Sequence, residues 1–148
     1  MKQPDELDLG NKWDLVFHRL QIAEEDLVSA SLLWESGQYR GANNRAYYSI
    51  YHTIDAVLSV QGVAFKRHKD TLAYFNKNYV ASEIFPRAMG RQIVQAEEIR
   101  HASDYDPFYI ASKDGTQKQI ETAKNLLDYA KRYITKQKET EELQMDSD

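Results

Sequence analysis

The chain has 148 residues and a formal net charge of −4, which fits one domain with one sizeable core and argues against a general nucleic-acid coat, a local basic patch aside. Hydrophobic residues make up 42% and charged residues 28%, with six Gly and three Pro, a globular and helix-leaning composition; the lack of cysteine excludes disulfides, thiolate zinc sites and thiol nucleophiles. No apolar run nears the roughly 20 residues of a membrane span, and the acidic start MKQPDELDLG is unlike a signal peptide, so a soluble cytoplasmic protein is expected.

Residues 1–10 read as a flexible N-terminus and 138–148, KETEELQMDSD, as a disordered acidic tail, leaving 11–137 as the folded domain. Trp13, Leu20, Leu27 and Trp34 recur every seven residues, with Phe17, Ala23 and Ala30 beside them, predicting a first helix that ends near Gly37. A second helix is predicted from about Gln38 to Gln61, stopping at Gly62. Next comes a loop with the basic cluster Lys66, Arg67, His68 and Lys69, which is either solvated or a phosphate or partner contact. A shorter third helix covers roughly residues 70–80 and buries Leu72, Phe75 and Tyr79. Pro86 suits the first turn of a fourth, with Met89, Ile93, Ala96 and Ile99 on one side, and DYDP breaks it at 104–107, because a proline pushes its predecessor out of the α region. After SKDG a fifth helix runs from about Thr116 to Lys136 with Ile120, Ala123, Leu127, Ala130 and Ile134 inward. No segment joins strand alternation to a hairpin turn signal, so the expected fold is all-α, an up-and-down bundle of four long helices plus one short helix.

The second helix carries the densest polar chemistry, in NNRAYYSIYHTI. At 100° per residue, one face holds Ala46, Tyr47, Ile50, Tyr51, Ile54, Val57 and Leu58, and the other Asn44, Arg45, Tyr48, Ser49, His52, Asp55 and Ser59. Arg45 and His52 lie only about 20° apart around the axis and roughly 10 Å apart along it, so both tips can reach one ligand. A polar face at helical spacing is ordinarily solvated. Yet Gly41 to Val60 contains no Lys, Glu or Gln, unlike the exposed runs EEDLVSASLLWE and KQIETAKNLLDYAKR, and so also fits a border with a helix, a dimer interface or a pocket. On the fourth helix Arg100 falls on the apolar stripe. A buried guanidinium must be paired, and Glu97, Asp104, Asp106 and Asp55 are candidates, either as an internal clamp on the DYDP turn or as part of a site. Glu98-x-x-His101 has the spacing of half a di-metal site, but no second such motif accompanies it, so no metal or other cofactor is expected.

NNRAYYSIYH, GVAFKRH, FNKNYV and IRHASDYDP, in this order across about residues 13–135, resemble the HEPN family (higher-eukaryote and prokaryote nucleotide-binding domain). The resemblance implies a helical bundle that forms a homodimer and partners a minimal nucleotidyltransferase in toxin–antitoxin-like pairs. It further implies RNA or nucleotide binding. In the active members it implies metal-independent endoribonuclease chemistry by an arginine and a histidine with four to six residues between them, with the 2′-hydroxyl of RNA as nucleophile. Here that spacing occurs at Arg45 and His52, which the resemblance casts as phosphate holder and proton-transfer group. Tyr48, Asp55, His68, Arg100, Asp104 and Tyr105 become ligand-binding candidates. In the established nucleases the motif usually sits on a later helix, where this chain has Arg100 and Tyr105 without the histidine. A non-catalytic module that positions a substrate or partner for the nucleotidyltransferase is the alternative.

Overall fold

The computed structural model describes residues 11–147, which form five helices and, among these residues, no strand: α1 Lys12–Glu35, α2 Tyr39–Ser59, α3 His68–Phe75, α4 Arg87–Tyr105 and α5 Lys113–Ser147. A π-helical turn, Asn76–Val80, extends α3. The first ten residues, expected to be flexible, lie outside the described residues. No described helix is long and apolar enough to cross a membrane.

Two glycines end the first two helices. After α1, the Gln38 amide donates to the Leu33 carbonyl (2.8 Å) and the Gly37 amide to that of Trp34 (3.0 Å), with Gly37 at φ 79°. After α2, Val63 and Gly62 donate to Leu58 and Ser59 in the same pattern, with Gly62 at φ 71°. Each glycine takes the left-handed conformation that satisfies the last carbonyls of a helix. The α1–α2 turn is therefore short, and the helices run antiparallel, with Lys12 at the start of α1 reaching the Val60 carbonyl at the end of α2 (3.0 Å). α5 is antiparallel to α1, since Trp34 donates to the Lys113 carbonyl at one end and Lys12 pairs with Glu141 (3.0 Å) at the other.

α2 is the central helix, packed against α1, α3, α4 and α5. None of its residues from Ala42 onward is fully exposed, so the polar face is partly sheltered, with the Arg45 and His52 side chains still 43% and 27% exposed. Its apolar face, Ala46, Tyr47, Ile50, Tyr51, Ile54, Val57 and Leu58, lies in the core with Ile93 and Ala96 of α4 and Ala123, Leu127, Ala130 and Ile134 of α5. At the far end Phe85 is fully buried among Phe75, Tyr79, Tyr129 and Tyr133.

Three expectations need correction. The α1 stripe is Val16, Leu20, Ala23 and Ala30, with Asp26 between; Trp13 and Leu27 pack partly buried at its edge, and Phe17, turned beyond that edge, is 41% exposed. α5 begins at Lys113 because the Ser112 hydroxyl accepts the Gly115 amide (2.9 Å) and caps it, so SKDG starts the helix. Residues 138–147, expected to be disordered, continue α5: Lys, Glu, Gln, Leu and Met are good helix formers, Lys138 pairs with Glu142 one turn on, and Glu141 is held by Lys12.

The segment after α4 is clamped by Arg40. Its guanidinium donates to the carbonyls of Ser103 (2.6 Å), Asp106 (3.0 Å) and Tyr109, while the Asp106 carboxylate accepts the Phe108 amide (2.9 Å). Phe108 and Ile110 are thus presented on an ordered turn at 90% and 86% exposure. Replacing Arg40 with methionine keeps the stem and orphans three carbonyls. The expected cost is about 1–3 kcal/mol, felt locally, with lost hydrogen-exchange protection at the Phe108 and Tyr109 amides. Unchanged protection there would assign the clamp elsewhere.

Candidate functional site

Three helices place charged side chains along the polar face of α2. From α1, Asp26 is 8% exposed and accepts Arg45 Nη1 at 3.1 Å on one carboxylate oxygen; its other oxygen lies 3.7 Å from His52 Nε2. The shared angular position of Arg45 and His52 is thus realised on a common anion. Arg45 also lies over the Tyr48 ring (5.3 Å), and Tyr48 faces His52 (6.3 Å between ring centres). One turn along, Arg19 of α1 pairs with Asp55 (3.2 Å) and donates to the Ser59 hydroxyl.

The start of α3 brings the second histidine. Lys66, Arg67 and Lys69 are exposed, and Arg67 is paired with Asp70 (3.1 Å), so most of the basic cluster is solvated loop. His68 instead turns inward. It stacks on Tyr51 with ring centres 3.6 Å apart and planes 19° from parallel, and its Nδ1 lies 3.2 Å from the Tyr47 hydroxyl. It also meets Tyr48 edge-on (5.7 Å).

α4 closes the other side. Arg100 lies over the Tyr47 ring (4.7 Å) and reaches Asp104 at 3.5 Å, one of the partners expected for it, while its buried Nε has no hydrogen-bond partner. Asp104 also accepts Asn44 (2.9 Å), and Asn43 donates to the Ser103 hydroxyl (3.2 Å). Arg100 thus pairs with the first residue of DYDP, while Arg40 holds the backbone of the turn.

Burial controls the protonation of this cluster. It pushes His52 below the usual imidazole range; Asp26 and Asp55 oppose this, and Arg19 and Arg45 add to it. Burial likewise lowers His68, helped by Arg100 and His52. Both imidazoles are therefore neutral at neutral pH, each with one donor and one acceptor nitrogen. Burial pushes the Tyr47 hydroxyl up to about 12, so it stays protonated beside His68, and it also raises Tyr51 and Asp55. The arrangement combines guanidinium groups that can hold a phosphate, imidazoles that can move protons, and aromatic faces on which a base can stack.

Of the residues singled out in the sequence, the structure brings Arg45, Tyr48, His52, Asp55, His68, Arg100 and Asp104 around α2. Tyr105 stands apart, 67% exposed and packed on His101 (4.9 Å). Glu98 and His101 are both exposed on α4, and no group of three His, Asp or Glu side chains able to hold a metal occurs among the described residues. Asp26 and Arg19 were missed. The signal for Asp26 was its place on the stripe Ala23, Asp26 and Ala30, the same argument that exposed Arg100.

The HEPN-domain family profile matches residues 17–133. A protein of Methanocaldococcus jannaschii named "Putative toxin" is 34% identical over 86 residues, 58% of this chain and 64% of that one. A UPF0332 protein of Thermotoga maritima is 28% identical over 126 residues, 85% of this chain and 96% of its own. Another, from Pyrococcus horikoshii, is 32% identical over 77 residues, 52% of this chain and 54% of its own. The matches to the first and third thus span less than two thirds of those proteins. With most of the bundle and the whole polar face of α2 inside the profile match, the chain belongs to the HEPN-domain family.

Proposed function

We propose that the α2 face binds RNA and cleaves it without a metal ion, and that the protein acts in the cytoplasm as a homodimer held in check by a minimal nucleotidyltransferase, as one half of a toxin–antitoxin-like pair. The observation that carries this reading is the meeting of Arg45 and His52 at Asp26, with Tyr48 between their side chains. In the reaction Arg45 holds the scissile phosphate and offsets the charge that develops on it, and His52 takes the proton from the 2′-hydroxyl. Arg100 adds positive charge from the α4 side. Two relatives bear the name "Putative toxin", which agrees with the pairing.

The test is RNA degradation in EDTA by the wild-type chain, freed of any partner, beside Arg45→Ala and His52→Ala. Wild type alone should degrade RNA; equal rates in all three, or none in wild type, would overturn the catalytic reading. A second reading is favoured by Asp26, which already engages Arg45 within the fold. In it the bundle is a non-catalytic module that positions a substrate or the nucleotidyltransferase. RNA then survives in every sample, and the same substitutions weaken complex formation.

A further inference from the structure

His52 cannot complete the proposed reaction alone. When O2′ attacks phosphorus the P–O5′ bond breaks, and the departing O5′ needs a proton that a base on the opposite side cannot give. The cluster contains one other imidazole. His52 and His68 both contact the Tyr51 ring, at 5.3 and 3.6 Å between centres, so their own centres are no farther apart than the sum of those distances. Both also flank Tyr48, beside Arg45.

We propose that His68 is the second proton-transfer residue of this site, donating from Nε2 to the leaving O5′ of RNA while His52 accepts the 2′-hydroxyl proton. The inference rests on the ribonuclease reading and deepens it. O2′ forms its bond to phosphorus, the electron pair of the P–O5′ bond stays on oxygen and takes the His68 proton, and the products are a 2′,3′-cyclic phosphate and a 5′-hydroxyl. His68 enters the step as the imidazolium, a minority form at neutral pH because burial and Arg100 disfavour it, and ends neutral; His52 ends protonated, and exchange with water resets both.

The local structure suits that role. Tyr47 occupies Nδ1 of His68, and its hydroxyl can accept from Nδ1–H both in the charged ring and in the neutral ring left after donation, which leaves Nε2 as the nitrogen that bears the exchangeable proton. Stacking on Tyr51 fixes the ring plane. The titratable and charged groups that face His68 are Tyr47, Tyr48, Tyr51, His52 and Asp55 from α2 and Arg100 from α4. Those facing His52 are Asp26 and Arg19 from α1, Arg45, Tyr48, Tyr51 and Asp55 from its own helix, and His68 from α3. A purely structural His68, anchoring α3 to α2, makes the same contacts but predicts different kinetics.

The experiment compares cleavage of ordinary RNA with cleavage of RNA carrying sulfur in place of the bridging 5′-oxygen, in EDTA. A thiolate leaves without a proton, so loss of a general acid is repaired by the second substrate and loss of a base is not. His68→Gln should be slowed about 10²-fold or more on ordinary RNA and recover toward wild type on the sulfur-bridged one, while His52→Ala stays slow on both. The alkaline limb of the wild-type pH profile should also vanish in His68→Gln. A His68→Gln chain as fast as wild type on ordinary RNA, or equally slow on both substrates with an intact melting transition, overturns the proposal. His68→Asn takes its place if His68→Gln does not fold. Wild type that cleaves neither substrate overturns the ribonuclease reading together with this one, whereas active wild type with an unaffected His68→Gln overturns this one alone.

Discussion

Replacing His52 with alanine is expected to slow RNA cleavage by about 10²–10⁴-fold, the usual worth of a positioned general acid or base, with little change in melting temperature. The imidazole is 27% exposed and keeps 3.7 Å from Asp26, too far for a hydrogen bond, so its removal forfeits only its ring contacts with Tyr48 and Tyr51. The pH dependence follows from its surroundings. His52 acts as a base only when neutral, and burial lowers it, so the base form persists below the pH at which an exposed histidine protonates and the acid limb lies on the acid side of 6.5. Asp26 opposes that lowering. Asp26→Asn should therefore move the acid limb to still lower pH, while also loosening Arg45 and reducing the maximum rate. Arg45 adds to the lowering, so Arg45→Ala should move the limb upward in whatever activity survives. Cleavage rates across a pH series for the three variants provide the check, and a shift of the limb to higher pH in Asp26→Asn would contradict the assignment.

Phe85→Ala is expected to cost about 3–5 kcal/mol, the range of a fully buried aromatic truncation. Phe85 is fully buried at the centre of an aromatic cluster, with ring centres 4.9 Å from Phe75, 4.8 Å from Tyr129 and 5.4 Å from Tyr133. The cluster ties the turn before α4 to α3 and α5: the Phe85 amide donates to the Tyr79 carbonyl (2.9 Å) and the Tyr129 hydroxyl to that of Ile84 (3.0 Å). Those hydrogen bonds hold the backbone in place, so the walls cannot fully collapse into the space vacated by the ring. Against a typical total of about 5–15 kcal/mol, such a loss takes a large share of the stability. Urea unfolding should show a lower midpoint at unchanged slope, and a loss under about 1 kcal/mol would mean the cluster is not a cornerstone.

The helices were legible because their signals are local. Gly37 and Gly62 mark stops by backbone conformation, Asp106–Pro107 breaks α4 by steric clash, and the apolar spacing of α2 and α5 matches their buried faces. The polar face of α2 was legible in composition: a helix without Lys, Glu or Gln over twenty residues proved to be one whose polar side chains are partly covered by neighbours. What escaped depends on pairing across the chain. Asp26 looked like part of a solvated acidic run, yet it is the anion that Arg45 and His52 share from a helix away. Arg40 carries no motif at all, because its three acceptors are main-chain carbonyls more than sixty residues later. The α5 extension escaped because acidity was weighed above helix propensity and above the Lys12–Glu141 pair.

Arg45 and His52 are expected to work as one unit on one phosphate. The most direct measurement is the single-turnover rate of RNA cleavage in EDTA for wild type, Arg45→Ala, His52→Ala and the double substitution. A large loss is expected in each single variant, little further loss in the double, and products ending in 2′,3′-cyclic phosphate. Equal rates in all four, or two single losses that simply multiply in the double, would contradict it.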